Sequence, residues 1–283
     1  MKALIIGKNG QVAWELIQAC PKHVHAKALG RNEINITNIE SILQTVKNFK
    51  PEVIINASAY TAVDRAESEE ALAFQINKNA VENLALVAKK YNIRFIHIST
   101  DFVFDGTQNS AYRVDDETNP INVYGASKLA GEEVIKRVYP ENSIIIRTSW
   151  VYSTHGNNFV KTILRLMAEK ESLNIVSDQI GSPTYAKGLA EYIWQQAELD
   201  SDGVIQNYSD VGAVSWYDFA IEIQNIAFQK GILSKTIPIN PIFSSEYPTL
   251  AIRPKFSVLK LDLINKINWR DNLILFMDLN SFD

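Results

Sequence analysis

A chain of 283 residues, 46% of them hydrophobic, is long enough to bury a sizeable core, and its composition excludes intrinsic disorder. A formal net charge of -4 excludes a general binder of nucleic-acid backbone, which needs concentrated Lys and Arg. The one cysteine, Cys20, excludes an intramolecular disulfide and a thiolate metal cluster and reads as a structural residue.

The apolar opening MKALIIG turns polar after one strand length, which fits neither a signal peptide nor a membrane span. No membrane contact and a cytoplasmic location are therefore expected. Residues 2–7 read as a buried strand and 11–19 as a helix with Trp14, Leu16 and Ile17 as apolar contacts. A second strand over 23–29 precedes a helix over 39–49 that ends before Pro51. Residues 53–55 form the next strand core, and 67–91 are rich in helix formers with a break near 76–79. A strand over 94–99 leads through a long loop to the helix carrying YGASKLAGEEVIKRV and then to the strand SIIIRTSW.

Parallel strands need helical crossovers, so this alternation predicts an α/β fold with a Rossmann-type, doubly wound, mostly parallel sheet. Past Ser153 the order loosens, with helices expected over 159–169, 185–196 and 216–229, and Pro238, Pro241, Pro248 and Pro254 shape loops. Residues 1–153 are read as an NAD(P)-binding core and 154–283 mainly as a smaller C-terminal α/β substrate lobe, with segments free to cross back.

Gly7, Gly10 and Ala13 occupy the small-residue positions of GxxGxxA between the first strand and helix. Gly permits the tight turn, and the free amides of the helix start can receive a dinucleotide pyrophosphate. The second strand ends in ALGR rather than in an acid that would bind an adenosine ribose. Arg31 can meet an extra 2′-phosphate, so NADPH is the expected cofactor and NADH the lesser one.

Tyr124 and Lys128, four residues apart in YGASK, share one helix face. A phenol near pKa 10 is a poor acid or base at neutral pH until a cation stabilises its phenolate, and Lys128 can supply that charge. Ser99 and Thr100 end a parallel strand, where sites in open α/β sheets gather, and the Thr100 hydroxyl could hold a carbonyl oxygen beside Tyr124. Asn77 could support the lysine through a polar network. Thr100, Tyr124 and Lys128 are the expected catalytic residues of a ketone reduction.

The segments GKNGQVAWEL, KPEVIINASAYTAVDRAESE, HISTDFVFDG, NVYGASKLAGE, IIRTSWVY, GNNFVKTILRL, SDQIGSPT and YPTLAIRPKFSVL resemble those of the extended short-chain dehydrogenase/reductase family, and within it the dTDP-sugar ketone reductases. The resemblance runs from the first strand nearly to the C-terminus. It implies hydride transfer from a nicotinamide to C4 of dTDP-4-dehydro-L-rhamnose, with Tyr124 giving the proton, Lys128 stabilising the tyrosinate and touching the cofactor ribose, and Thr100 orienting the oxygen. It places Gln11, Val12, Asn35, Ile36, Ala57, Ser58, Ala59, Tyr60 and Ser99 with the cofactor. Asp64, Asp101, Phe102, Trp150 and Asn157 fall in pocket segments, and Arg253 is the expected diphosphate contact, its guanidinium fork suiting an anion.

Two of these readings stay open: Trp150 flanks the sugar or fills an inter-lobe contact, and Arg253 grips the ligand or forms a surface ion pair. The chain departs from the family pattern at Ala13, Ser58 and Tyr60. Some relatives pair subunits through carboxylates and magnesium. Glu15 matches one such position, but Lys187 stands where another acid is expected, which argues against a shared magnesium site and leaves a homodimer open. His23, His25, His97 and His155 form no compact metal motif, and His97 reads as a strand residue. Asp115 and Asp116 read as a solvated loop. The competing functions are a reductase or epimerase of another nucleotide sugar, or a non-catalytic NADP-binding regulatory subunit.

Overall fold

The computed structural model describes residues 1–199, 204–261 and 267–279. Its main sheet is built from short aliphatic runs: β1 (Lys2–Ile6), β2 (His25–Leu29), β3 (Val53–Asn56), β4 (Arg94–Thr100) and β5 (Ser143–Thr148). A sixth strand from the C-terminal half, β10 (Ile205–Asn207), completes the order β10-β5-β4-β3-β1-β2, with every pairing parallel. β3 and β5 are buried along their whole length, as strands covered on both faces must be, whereas β2 at the edge alternates between exposed and covered residues. The sheet thus joins the expected fold class.

The crossover helices are α1 (Gln11–Gln18), α2 (Ile39–Phe49), the short α3 (Val63–Ala66), α4 (Glu70–Phe74), α5 (Ala80–Lys90) and α6 (Val123–Val138). Asn38 caps α2 by accepting from the Glu40 amide, and Lys50 ends it in the left-handed region at φ 55°, immediately before Pro51. In α1, Leu16 is buried as expected, but Ile17 is 39% exposed and Trp14 stacks on His155. The helix buries only the stripe Ala13, Glu15 and Leu16.

The break expected near 76–79 is a π-helical turn, Gln75–Asn79, joining α4 to α5 without interrupting the helical rod. Its wider turn leaves Asn77 pointing inward, 1% exposed.

The C-terminal half contains β6 (Val151–Tyr152), α7 (Phe159–Glu169), β7 (Leu173–Val176), β8 (Ile180–Gly181), β9 (Thr184–Tyr185), α8 (Ala186–Glu198), β10 (Ile205–Asn207), β11 (Val214–Ser215), α9 (Trp216–Gln229), β12 (Ile239–Ile242) and α10 (Trp269–Asp278). α8 and β10 return to the main sheet: Leu189, Ala190 and Ile193 share a core with β1 and α1, and Ile205 pairs with Ile145. The other elements enclose a second core around Tyr152, Ile163, Phe219, Ile223 and Phe276. α10 was not legible in the sequence reading; Asn268 caps it, and Leu273, Phe276 and Met277 supply its buried face. Among the described residues no helix is long and apolar enough to cross a membrane.

Candidate active site

The loop between β1 and α1 has the shape a dinucleotide pyrophosphate needs. Gly7 sits at φ 102°, and a Cβ there would lie 2.8 Å from the Ala57 carbonyl and the Ser58 amide nitrogen. Gly10 is the N-cap of α1 and offers no side chain to its free amides, which the first turn leaves without an acidic neighbour. Gln11 and Val12 begin that helix half-buried, and Asn158 donates to Gln11 Oε1 at 3.0 Å, so the second lobe braces the loop. The turn thus fits the nucleotide that the glycine pattern implies.

At the end of β2, Arg31 is exposed, with Asn35 and Ile36 close by in the sequence. Asn35 Oδ1 accepts from the amide and hydroxyl of Thr37, while Ile36 packs against the sheet core. The sequence reading overlooked Glu33, whose carboxylate accepts from the Gly30 amide at 2.8 Å and from Lys8 at 3.1 Å. Those bonds hold its carboxyl below its ordinary range and hold Lys8 beside the same turn.

The opposite wall is the start of α6. Asn122 caps it by accepting from the Gly125 amide at 2.7 Å, and Glu67 accepts from the Val123 amide at 2.9 Å. These contacts set Tyr124 beside the end of β4, where its phenol faces Thr100 and its ring meets Phe102 edge-on at 5.9 Å. Thr100 Oγ1 also donates to Asp101 Oδ1 at 3.0 Å and accepts from the Phe102 amide at 3.2 Å. One turn further along, Lys128 is 1% exposed, its Nζ donating to Ile98 O at 2.6 Å and lying 3.1 Å from His97 Nε2.

Sequence reasoning expected the lysine to lower the phenol. In the structure burial instead pushes Tyr124 up to about 12, with Asp101 adding to the rise and the Thr100 hydrogen bond opposing it. Burial likewise lowers Lys128 to about 8, against the pull of Glu132. The physical reason is desolvation of the phenolate, while Lys128 Nζ turns to Ile98 O at 2.6 Å. Tyr124 is therefore a protonated donor at neutral pH, the state that reduction requires.

Asn77 supports the same helix, though through Ser127 rather than Lys128. Its amide donates to Ser127 Oγ at 2.9 Å and to Tyr60 O, and its oxygen accepts from the Tyr60 amide at 2.8 Å. Ser127 Oγ in turn donates to Tyr124 O at 2.7 Å. Ser99 turns away from the site: its hydroxyl donates to Glu132 Oε1 at 2.6 Å, and Glu132 receives both ends of the Arg147 guanidinium. Ala57, Ser58 and Ala59 line the β3 end half-buried, and Tyr60 is buried with its hydroxyl on Glu69.

Beyond Tyr124 the two lobes meet. Arg253 forks onto Asp64, with contacts of 3.1 Å and 2.7 Å, and also donates to Thr249 Oγ1 and Ala251 O. The two expected substrate residues are thus brought together, each answering the other. Trp150 is half-buried at φ 45°, its indole stacked on Trp216 with ring centroids 3.4 Å apart. Asn157 is exposed, while its neighbour Asn158 caps α7 and bonds Gln11. Asp101 is buried, its carboxyl raised to about 6 by that burial against hydrogen bonds to Ser257 and Thr100. Glu15 is 3% exposed and accepts from Ser153 Oγ at 2.7 Å, which turns it into the lobe contact. Among the described residues no group of three His, Cys, Asp or Glu side chains is placed to hold a metal.

A family described as the RmlD substrate binding domain matches residues 1–279. The dTDP-4-dehydrorhamnose reductase of Aggregatibacter actinomycetemcomitans is 40% identical over 272 residues, covering 94% of this chain and 92% of the relative. That of Escherichia coli strain K12 is 39% identical over 270 residues, covering 93% and 90%. The crystal structure of the Bacillus anthracis dTDP-4-dehydrorhamnose reductase in complex with NADP superposes with a TM-score of 0.93 at 34% identity, covering 99% of both chains. With a Rossmann sheet, a glycine turn shaped for a nucleotide and Tyr124 beside the end of β4, this chain belongs to the dTDP-4-dehydrorhamnose reductase family of NAD(P)H-dependent oxidoreductases.

Proposed function

We propose that the protein reduces the C4 ketone of dTDP-4-dehydro-L-rhamnose to dTDP-L-rhamnose, with NADPH as the preferred donor. The observation that carries the reading is the placement of Thr100 and Tyr124 together at the end of β4, where burial raises the phenol. With its pyrophosphate held at the Gly7–Gly10 turn, the dinucleotide would supply the hydride from its nicotinamide.

The residues then divide the remaining work. Thr100 and Tyr124 hydrogen-bond the ketone oxygen and orient it. As negative charge develops on that oxygen, the Tyr124 proton moves to it, giving the alcohol. The phenolate left behind is stabilised by Lys128 in its ammonium form, one helical turn away. Asn77 and Ser127 hold the Tyr124 carbonyl and keep this turn in place.

Arg253 is the proposed diphosphate contact, exchanging its Asp64 partner for the ligand, and Trp150 the apolar wall of the sugar site. Arg31 and Lys8 are the proposed source of NADPH preference, two cations at the turn where the 2′-phosphate would lie. A cytoplasmic site of action goes with this reading.

Incubating the protein with NADPH and chemically defined dTDP-4-dehydro-L-rhamnose, and identifying the product by chromatography, tests it. Formation of dTDP-L-rhamnose is expected. Turnover confined to UDP- or GDP-linked 4-ketosugars would move the assignment to another nucleotide sugar.

A further inference from the structure

His97 lies in the middle of β4, 0% exposed, between Asn56 of β3 and Lys128 of α6. Asn56 Nδ2 is 3.0 Å from His97 Nδ1, and Lys128 Nζ is 3.1 Å from His97 Nε2. Which imidazole nitrogen carries the proton follows from the other end of Asn56. Its Oδ1 accepts from the Ser58 backbone amide at 3.1 Å and from Ser58 Oγ at 2.6 Å. A backbone amide can only donate, so the side-chain amide cannot be turned round without setting its NH2 against the Ser58 N–H. Asn56 therefore presents its NH2 group to Nδ1, which must accept, and a neutral imidazole then carries its proton on Nε2.

We infer that His97 is a positioning residue for Lys128: fixed by Asn56 with its proton on Nε2, it meets the lysine nitrogen with a donor and weakens the site's hold on the ammonium form. An ammonium has only donors, whereas a neutral amine can accept from Nε2–H while donating to Ile98 O. Burial holds the imidazole neutral, its pKa pushed well below the ordinary value with the nearby lysine adding to the effect.

The other charged groups around Lys128 do not cancel this contact. Glu132, one turn along α6, favours the ammonium but is itself neutralised by Arg147 of β5 at 2.7 Å. Asp101, after β4, faces Tyr124 and accepts from Thr100 Oγ1 at 3.0 Å. Tyr124 is protonated, and the π turn presents the neutral Asn77. His97 thus sets how far into alkaline pH the lysine remains charged, an inference that rests on the proposed role of Lys128 in the reduction.

The test is an isosteric tautomer switch. Asn56→Asp keeps one oxygen for Ser58 and turns an acceptor toward Nδ1, which moves the imidazole proton to Nδ1 and leaves Nε2 free to accept from the ammonium. Selective nitrogen-15 labelling of histidine, with His97→Gln to assign the signal, reads the tautomer without any substrate. Wild type is expected to show an unprotonated Nδ1 and a protonated Nε2, with the reverse in Asn56→Asp. The alkaline limb of kcat/KM, together with the titration of labelled lysine nitrogen, is expected to move up by about one pH unit, a tenfold change in the lysine's proton affinity.

A protonated Nδ1 in wild type overturns the inference even where the variant does not fold. A switched tautomer with an unmoved lysine titration overturns it as well. Failure of the substrate assignment alone would leave both nuclear magnetic resonance readouts standing.

Discussion

Gly125 of α6 lies so close to Phe102 that a Cβ added to it would stand 2.1 Å from the Phe102 carbonyl oxygen. This contact places the helix start against the turn after β4, and it is why the residue following Tyr124 has no side chain. Gly125→Ala is expected to push Tyr124 away from Thr100 and lower kcat about 100-fold, the usual cost of misplacing a reacting group by an ångström. The measurement is kcat together with circular dichroism, which should show a folded protein; an unchanged kcat would mean that α6 can shift without disturbing the site.

Arg147 and Glu132 form a buried ion pair, 1% and 0% exposed, beneath the active-site strands. Glu132→Ala leaves the guanidinium uncompensated in the core, and denaturant unfolding is expected to show a loss of about 3–5 kcal/mol. Replacing the pair together with apolar residues of similar volume should recover much of that loss.

Asp210 is 3% exposed and accepts from the Tyr185 amide at 3.0 Å. Burial raises it from 3.8 to about 7. Between these values the folded state holds a proton that the unfolded chain has released, so this group's contribution to stability falls as pH rises from 3.8 to about 7. Asp210→Asn is expected to flatten the decline; melting temperatures measured across that range would show the same slope in both proteins if the carboxyl were not the cause.

Arg253 spends its fork on Asp64 in the structure, and on the proposed reading it transfers to the ligand's diphosphate. Arg253→Ala is expected to raise KM for the dTDP-sugar about 10- to 100-fold with a smaller change in kcat, the signature of lost ligand binding. An effect confined to kcat would place Arg253 in the chemistry instead.

Arg31 is exposed at the turn after β2. Arg31→Ala is expected to raise KM for NADPH about tenfold while leaving NADH nearly unchanged, because only the former carries the 2′-phosphate. Equal effects on both cofactors would remove Arg31 as the source of preference.

The elements most legible in the sequence were those with local signals. α2, α7 and α9 begin after Asn38, Asn158 and Ser215, each capping through its side chain, and run with apolar residues at helical spacing. The Tyr124 and Lys128 pair was legible because helix geometry alone puts the two on one face. What escaped depends on partners distant in the chain. The His97 contact with Lys128 spans two elements, Glu33 matters only because Lys8 and Gly30 converge on it, and Arg253 meets an acid far back in the sequence. The rise of Tyr124 was not legible either: spacing brings the lysine near, but shows neither the burial of the phenol nor the direction of the lysine nitrogen.

The central claim is that Tyr124 delivers the proton in the reduction of the dTDP-4-dehydro sugar. Tyr124→Phe removes one oxygen and keeps the ring against Phe102, so NADPH affinity and melting temperature should match wild type. With dTDP-4-dehydro-L-rhamnose as substrate, kcat is expected to fall about 1000-fold, within the range of lost general acid catalysis. A folded, NADPH-binding Tyr124→Phe protein that turned over at near wild-type rate would contradict the account.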